Sequence, residues 1–183
     1  MIGTILYQTV ANKHKNNIEN MAPFKCTRAD AWLGDGYYFW DTFIELAHQW
    51  GVCALKNNYI ICKTHTKCHA EEILDLVGNT TQIKDLRDIT LQLEKTYNKR
   101  FTVPFVMHYL RERLAFPYKA IRIQSHNNFS QLTTQYKRVF IDGRRECFLM
   151  CPSIQYCVID RTILELPVKV VYCSSEEYNM ECL

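Results

Sequence analysis

The chain of 183 residues carries a net charge of +3, with 48% hydrophobic and 22% charged residues. That length suits one well-buried domain and is short for two. The charge is too small to argue by itself for nucleic acid or an anionic membrane, and no apolar run of about 18 residues predicts a membrane span.

The N-terminal MIGTILYQTV lacks a basic segment followed by an apolar one, so the reading is a cytoplasmic protein without an export signal. The nine cysteines include no CxxC pair, and they read as reduced thiols, many of them small core hydrophobes. ICKTHTKCHAEE sets Cys62, His65, Cys68 and His69 close together, but C-x2-H-x2-C-H fits no common zinc site. It reads as a connection from a strand, and no metal is expected.

In chain order, GTILYQTV (3–10) alternates and predicts a first strand. NKHKNNIENMAPF predicts a short helix ending before Pro23, and 25–36 a loop. GYYFW is a strand edge or extended turn. DTFIELAHQWG predicts a helix capped by Asp41 or Thr42, with Phe43, Leu46, Ala47 and Trp50 on one face and Gly51 at its end. NNYIICKTHT (57–66) is a strand, and AEEILDLVGN a helical or turn segment ending near Gly78. The stretch 80–116 is helical in pattern, with Ile89, Leu93 and Tyr97 at helical spacing and Pro104 in the first turn of a second helix. Strands follow at 120–124, in RVFID and CFLMC, at 154–159 and at 166–173. The acidic SSEEYNMECL reads as a loose tail. The order predicts an α+β domain over 1–175 with a mostly antiparallel sheet, a helical insertion at about 80–116, and a flexible tail at 176–183.

GDGYYFWDTFIELAHQW resembles the second motif of the ADP-ribosyltransferase superfamily, in its poly(ADP-ribose) polymerase and diphtheria-toxin-like branch. That motif reads Gly-x-Gly-x-Tyr-Phe-x-Asp before a helix. Gly34, Gly36, Tyr38, Phe39 and Asp41 fall in place, and Ala47 and Trp50 continue it. LYQTV (6–10) resembles the family's Leu-Tyr-His-Gly-Thr strand, and IQYCVID followed by LPVKVVY its late strands. The resemblance covers nearly the whole chain, closely over 32–50 and loosely elsewhere.

It implies a split antiparallel sheet around a cleft for NAD as co-substrate. It also implies transfer of ADP-ribose to a protein or nucleic-acid acceptor. The departures are specific. The family's His-Tyr-Glu set becomes Gln8, Tyr38 and Gln155, and the glycine after the histidine becomes Thr9.

The resemblance implies that Tyr38 gives a face for the nicotinamide. A competing reading makes it a core tyrosine. Tyr37 points to the other side of an extended chain, as a second stacking face or as plain packing. Gly34 and Gly36 permit torsions or close approaches that side chains block. Gln8 can replace a histidine that binds ribose hydroxyls, and Thr9 can lend its backbone groups to the carboxamide.

Gln155 can hydrogen-bond a ribose but is neither a general base nor an anion for a developing cation. Glu146 in DGRRECF is then the nearest substitute carboxylate, followed by Glu165 and Asp160, with a solvated loop charge as the plain alternative. Lys137, Arg138, Arg144 and Arg145 form a basic cluster that suits an anionic acceptor or a solvated face. Arg111, Glu112 and Arg113 read as helix surface. GNTTQIK lacks the ending of a P-loop, and no protease arrangement stands out. Three readings therefore stand: a mono-ADP-ribosyltransferase, an inactive relative that keeps the cleft and binds NAD, ADP-ribose or a partner, and an unrelated α+β protein.

Overall fold

Strand-forming residues in alternation pair into one large sheet, which helices cover on one face and mainly connecting segments on the other. A computed structural model describes residues 3–13, 17–125 and 135–175. The proposed tail at 176–183 lies outside them. Strand β1 is Ile5–Ala11, β2 Tyr37–Asp41, β3 Tyr59–His65, β4 Ile73–Leu76 and β5 Ala120–Gln124. Strands β6 (Lys137–Val139) and β7 (Cys147–Leu149) form a separate hairpin, and β8 (Ile154–Val158) and β9 (Lys169–Cys173) return to the main sheet.

The seven-stranded sheet has the order β4-β5-β8-β2-β1-β3-β9 and is antiparallel except for the β4–β5 pair. With its helices α1 (Ile18–Met21), α2 (Ile44–Leu55), α3 (Thr80–Tyr97) and α4 (Val103–Arg113), the domain is mixed α+β with a mostly antiparallel sheet, as expected.

Three expectations are corrected. AEEILDLVGN is a short 3-10 turn, Ala70–Glu72, followed by β4 and not by a helix. Ile73, Leu74 and Leu76 fit either period. Sheet pairing decides, because β4 lies parallel to β5 with Leu74 opposite Ile121. Parallel neighbours need a crossover, and α3 and α4 supply it.

The second correction concerns α2, which runs through Gly51 and ends at Lys56, in the left-handed region at φ 53°. Gly51 is there for packing, since a Cβ would meet the Tyr59 ring at 2.4 Å. Neither Asp41 nor Thr42 caps α2, whose N-cap is Phe43. Asp41 is buried and accepts from Arg122 Nε at 2.8 Å, while Arg122 Nη1 reaches Asp75 at 3.1 Å. This chain of charges ties β2 to β5 and β4.

Third, Arg111 is not merely helix surface. Its guanidinium donates to the carbonyls of Leu33 and Asp35 at 2.8 and 3.0 Å, clamping the loop before β2 onto α4.

The register sorts side chains onto two faces. Leu6, Phe39, Tyr156 and Val158 pack on one, and Ile18 and Ala22 at α1 join Ile60, Cys62 and Cys173 there. On the other face α2 covers Trp40, Tyr59 and Ile61, while α4 brings Val106, Met107 and Leu110 over Ile121 and Cys157. Over β8 and β2 the first face is closed by Cys68, Ile163 and Leu164 from connecting segments, and α1 reaches only the β3–β9 side.

Candidate ligand-binding cleft

Strands β1 and β2 pair at only two positions, Leu6 with Asp41 and Tyr7 with Trp40. Beyond them the strands part, and a cavity of about 280 Å³ opens. Four of the site residues expected from the sequence line it, Gln8, Thr9, Tyr38 and Gln155, together with Phe39 and Trp50 of the same motif. The first four come from β1, β2 and β8, which are adjacent in the sheet but far apart in the chain.

Gln8 is buried and fully engaged. Its Nε2 donates to the Phe24 carbonyl at 2.9 Å and, more distantly, to the Tyr38 carbonyl at 3.4 Å. Its Oε1 accepts from the Phe24 N–H at 2.7 Å. The amide therefore pins the 22–36 loop over the cavity. Thr9 donates its hydroxyl to the Ala47 carbonyl at 2.8 Å, fastening α2 to β1.

Tyr38 is half-buried. Its hydroxyl accepts from the Leu33 N–H at 3.0 Å and donates to the Gly34 carbonyl at 2.8 Å. Burial raises its pKa well above the ordinary phenol value, so the hydroxyl stays protonated. The hydroxyl holds the loop, and the ring remains part of the cavity wall.

Gln155 differs from both. It is 8% exposed, stands opposite Trp40 in the β2–β8 ladder, and its Oε1 is buried with no hydrogen-bond partner among the described residues. A buried carbonyl left unpaired costs about 1–3 kcal/mol. The oxygen itself is covered, so a donor in the cavity can pair it once the Gln155 side chain turns toward the opening.

The two glycines shape the loop without lining the cavity. Gly34 sits at φ +80°, and a Cβ there would meet Arg111 Nη1 at 2.6 Å. At Gly36 a Cβ would meet Cys157 Sγ at 2.4 Å and the Val158 carbonyl oxygen at 3.0 Å. Gly36 also exchanges two backbone hydrogen bonds with Cys26. Glycine lets the loop lie flat on β8 and leads it directly into the aromatic strand. Tyr37 faces away from the cavity and packs against the Leu6–Phe39–Tyr156 cluster.

The carboxylates fall elsewhere. Glu146 is exposed in the turn of the β6–β7 hairpin and is not among the lining residues. Glu165 pairs with His65 and Lys67, both at 3.3 Å, and Asp160 caps the 3-10 turn Arg161–Ile163.

Sequence reasoning missed several lining residues and the convergence of the tryptophans. All three tryptophans of the chain, Trp32, Trp40 and Trp50, line this one cavity, and the Trp40 and Trp50 rings lie 6.4 Å apart. Lys25 and Arg28 stand at its rim, each beside a carboxylate, Lys25 at 3.9 Å from Asp35 and Arg28 against Asp30. Asp30 is the one carboxylate among the described lining residues, and Arg28 holds both its oxygens at 2.9 and 3.0 Å. The convergence of the tryptophans was open to a composition argument, since three large amphipathic rings within 32–50 mark a stretch with much surface to bury.

Aromatic walls, the amide of Gln155 and flanking cations suit a flat ring attached to a hydroxylated, anionic group, while Gln8, expected to hold ribose hydroxyls, is instead taken up by the loop. No protein-family model, curated protein or solved structure matches the chain.

Proposed function

We propose that this cleft binds NAD, and that the chain is an ADP-ribosyltransferase-like protein in which binding outlives much of the transfer chemistry. The observation that carries the reading is the unpaired Oε1 of Gln155 in the wall of a cavity shared with Tyr38 and Trp40. A ribose hydroxyl or a carboxamide N–H has the donor that this oxygen lacks. Tyr38 and the tryptophans offer faces to a nicotinamide ring, and Lys25 and Arg28 offer charge to a pyrophosphate. The volume is just below the usual range of about 300–1,000 Å³ for ligand pockets. It suits a ring with its sugar, the rest of the dinucleotide extending past the loop cations. The parting of β1 and β2 around the cavity supports the split-sheet arrangement that the resemblance implies.

Cleavage of the nicotinamide bond develops positive charge on the ribose, and a nearby carboxylate lowers that barrier. At this position the chain has the amide of Gln155. Glu146 lies outside the lining, and Asp30 is neutralised by Arg28. Binding without efficient turnover follows. The transferase reading rests on Asp30: release of its carboxylate from Arg28 by a ligand phosphate gives the cleft the anion it otherwise lacks.

The test is a titration with NAD that follows tryptophan emission and nicotinamide release together. All three tryptophans line the cleft, so ligand entry changes the emission. Gln155→Leu is expected to weaken binding about tenfold, in line with loss of one buried hydrogen bond. Gln155→Glu is expected to raise nicotinamide release above the parent. No change in emission or thermal stability at millimolar NAD overturns the proposal. Release by the parent protein that Asp30→Asn abolishes decides for the transferase.

A further inference from the structure

The β6–β7 hairpin stands apart from the main sheet and carries a surface that the cleft does not explain. Arg138 pairs with Phe148 across the two strands, and the Phe140 N–H continues the ladder to the Glu146 carbonyl at 3.1 Å. Phe140 and Phe148 are 70% and 57% exposed. Two large rings left this open on a short hairpin are costly unless something covers them.

The charges nearby narrow what that something is. Four cations, Lys137, Arg138, Arg144 and Arg145, stand in this stretch against two carboxylates, Asp142 and Glu146. Arg138 folds its Nη1 onto the carbonyls of Gln135 and Lys137. Among the described residues, neither Arg144 nor Arg145 has a carboxylate partner. Exposed rings with unpaired guanidinium groups beside them match a flexible polyanion whose units carry flat faces. The turn Asp142-Gly143-Arg144-Arg145 puts charge at the hairpin's tip, which opposes insertion of that tip into a lipid bilayer.

We propose that this hairpin binds single-stranded nucleic acid. Bases stack on Phe140 and Phe148, and phosphates meet Arg144 and Arg145. Such binding tolerates many sequences, since every base has a π-face. The hairpin also runs into the cleft's own strand. Cys151, just after β7, packs into the cluster of Trp40 and Tyr7, and Gln155 follows on β8. The proposal does not depend on the NAD reading, because neither ring nor either arginine lines that cavity.

The experiment is fluorescence anisotropy of the full chain with labelled oligo(dT) and oligo(rU) of about twelve nucleotides, over a range of salt concentrations. The parent protein is expected to bind, with affinity falling as salt rises. Arg144→Gln with Arg145→Gln is expected to lower the magnitude of the log–log salt slope by about 1.4, the effect of two phosphate contacts on a single strand. Phe140→Leu with Phe148→Leu keeps apolar side chains. It is expected to weaken binding fivefold or more while leaving the salt slope unchanged. Far-UV circular dichroism and the urea midpoint of each variant should match the parent, because these side chains are exposed on the separate hairpin. Absence of binding at low salt overturns the proposal, as does binding that both variants retain in full. Co-sedimentation with phosphatidylserine vesicles in place of oligonucleotide binding overturns it in favour of a membrane surface. Concentration-dependent dimerisation that the phenylalanine variant abolishes, again without oligonucleotide binding, overturns it in favour of a second copy of the chain.

Discussion

The side chain of Gln8 and the backbone of Phe24 form a closed pair. The amide nitrogen of Gln8 donates to the Phe24 carbonyl at 2.9 Å, and its oxygen accepts from the Phe24 N–H at 2.7 Å. A glutamine on β1 thus acts toward the cleft loop as a neighbouring strand does. Gln8→Leu removes both bonds and takes the Gln8 partner from the half-buried N–H and C=O of Phe24. We expect a loss of about 1–3 kcal/mol in urea denaturation, less than two fully buried groups would cost, because both are half-buried. Proteolysis within 22–36 should accelerate in the same variant. A loss below about 0.5 kcal/mol means that the loop is held without Gln8.

Tyr38 separates its hydroxyl from its ring in a way two substitutions can read. Tyr38→Phe strips the partners from the Leu33 N–H and the Gly34 carbonyl, at about 1–3 kcal/mol of stability, but keeps the face that lines the cavity. Tyr38→Ala also removes the ring. The expected pattern is that Phe lowers stability and largely keeps NAD-induced tryptophan quenching, whereas Ala loses the quenching. Equal loss of quenching in both assigns the ligand contact to the hydroxyl or to the loop it holds.

The strands that frame this cleft were readable because alternation is local, whereas Gln8, Tyr38 and Gln155 were singled out on them by the resemblance. Ile5–Ala11, Ala120–Gln124 and Ile154–Val158 fall where period two placed strands, and Gln8, Tyr38 and Gln155 are positions on three of the central strands. What the sequence did not show depends on partners distant in the chain. Arg111 reads as helix surface until the Leu33 and Asp35 carbonyls are brought to it. Gly51 reads as a helix stop until the Tyr59 ring is set against it. Ile73–Leu76 becomes a strand only because β5 lies beside it. The same limit hid Lys25 and Arg28, whose place at the cavity follows from the Gln8–Phe24 pair fastening their loop.

Gly36 and Cys157 should be energetically coupled. A Cβ at Gly36 would lie 2.4 Å from Cys157 Sγ and 3.0 Å from the Val158 carbonyl oxygen. Gly36→Ala is therefore expected to cost about 1–3 kcal/mol by overpacking. Cys157→Ala removes the sulfur at its own cost in packing, and the double variant should be less destabilised than the two single effects summed. The Val158 carbonyl is backbone and stays, so relief is partial. Strict additivity in a double-mutant cycle by urea denaturation would show that the glycine serves only the loop's torsions.

Stability should fall on the alkaline side, for a reason that lies in the core. Burial pushes the thiols of Cys151 and Cys157 up to about 11, and that of Cys62 up to about 12. Burial likewise takes the Tyr156 hydroxyl up to about 12. In the unfolded chain these groups titrate near 9.0 and 10.0. All are neutral when protonated, and the folded state holds their protons to higher pH. Their contribution is fully present below about pH 9 and is lost as pH rises from there through about 11 to 12. Cys157 alone accounts for about 3 kcal/mol across that window, from a shift of about two pH units. The urea midpoint should therefore be level between pH 7 and 8.5 and drop steeply by pH 10.5. Cys157→Ala, less stable at neutral pH, should show a shallower fall. A midpoint independent of pH up to 10.5 would mean that these thiols ionise as readily in the folded chain as in the unfolded one, and that the sheet core around Cys157 admits water.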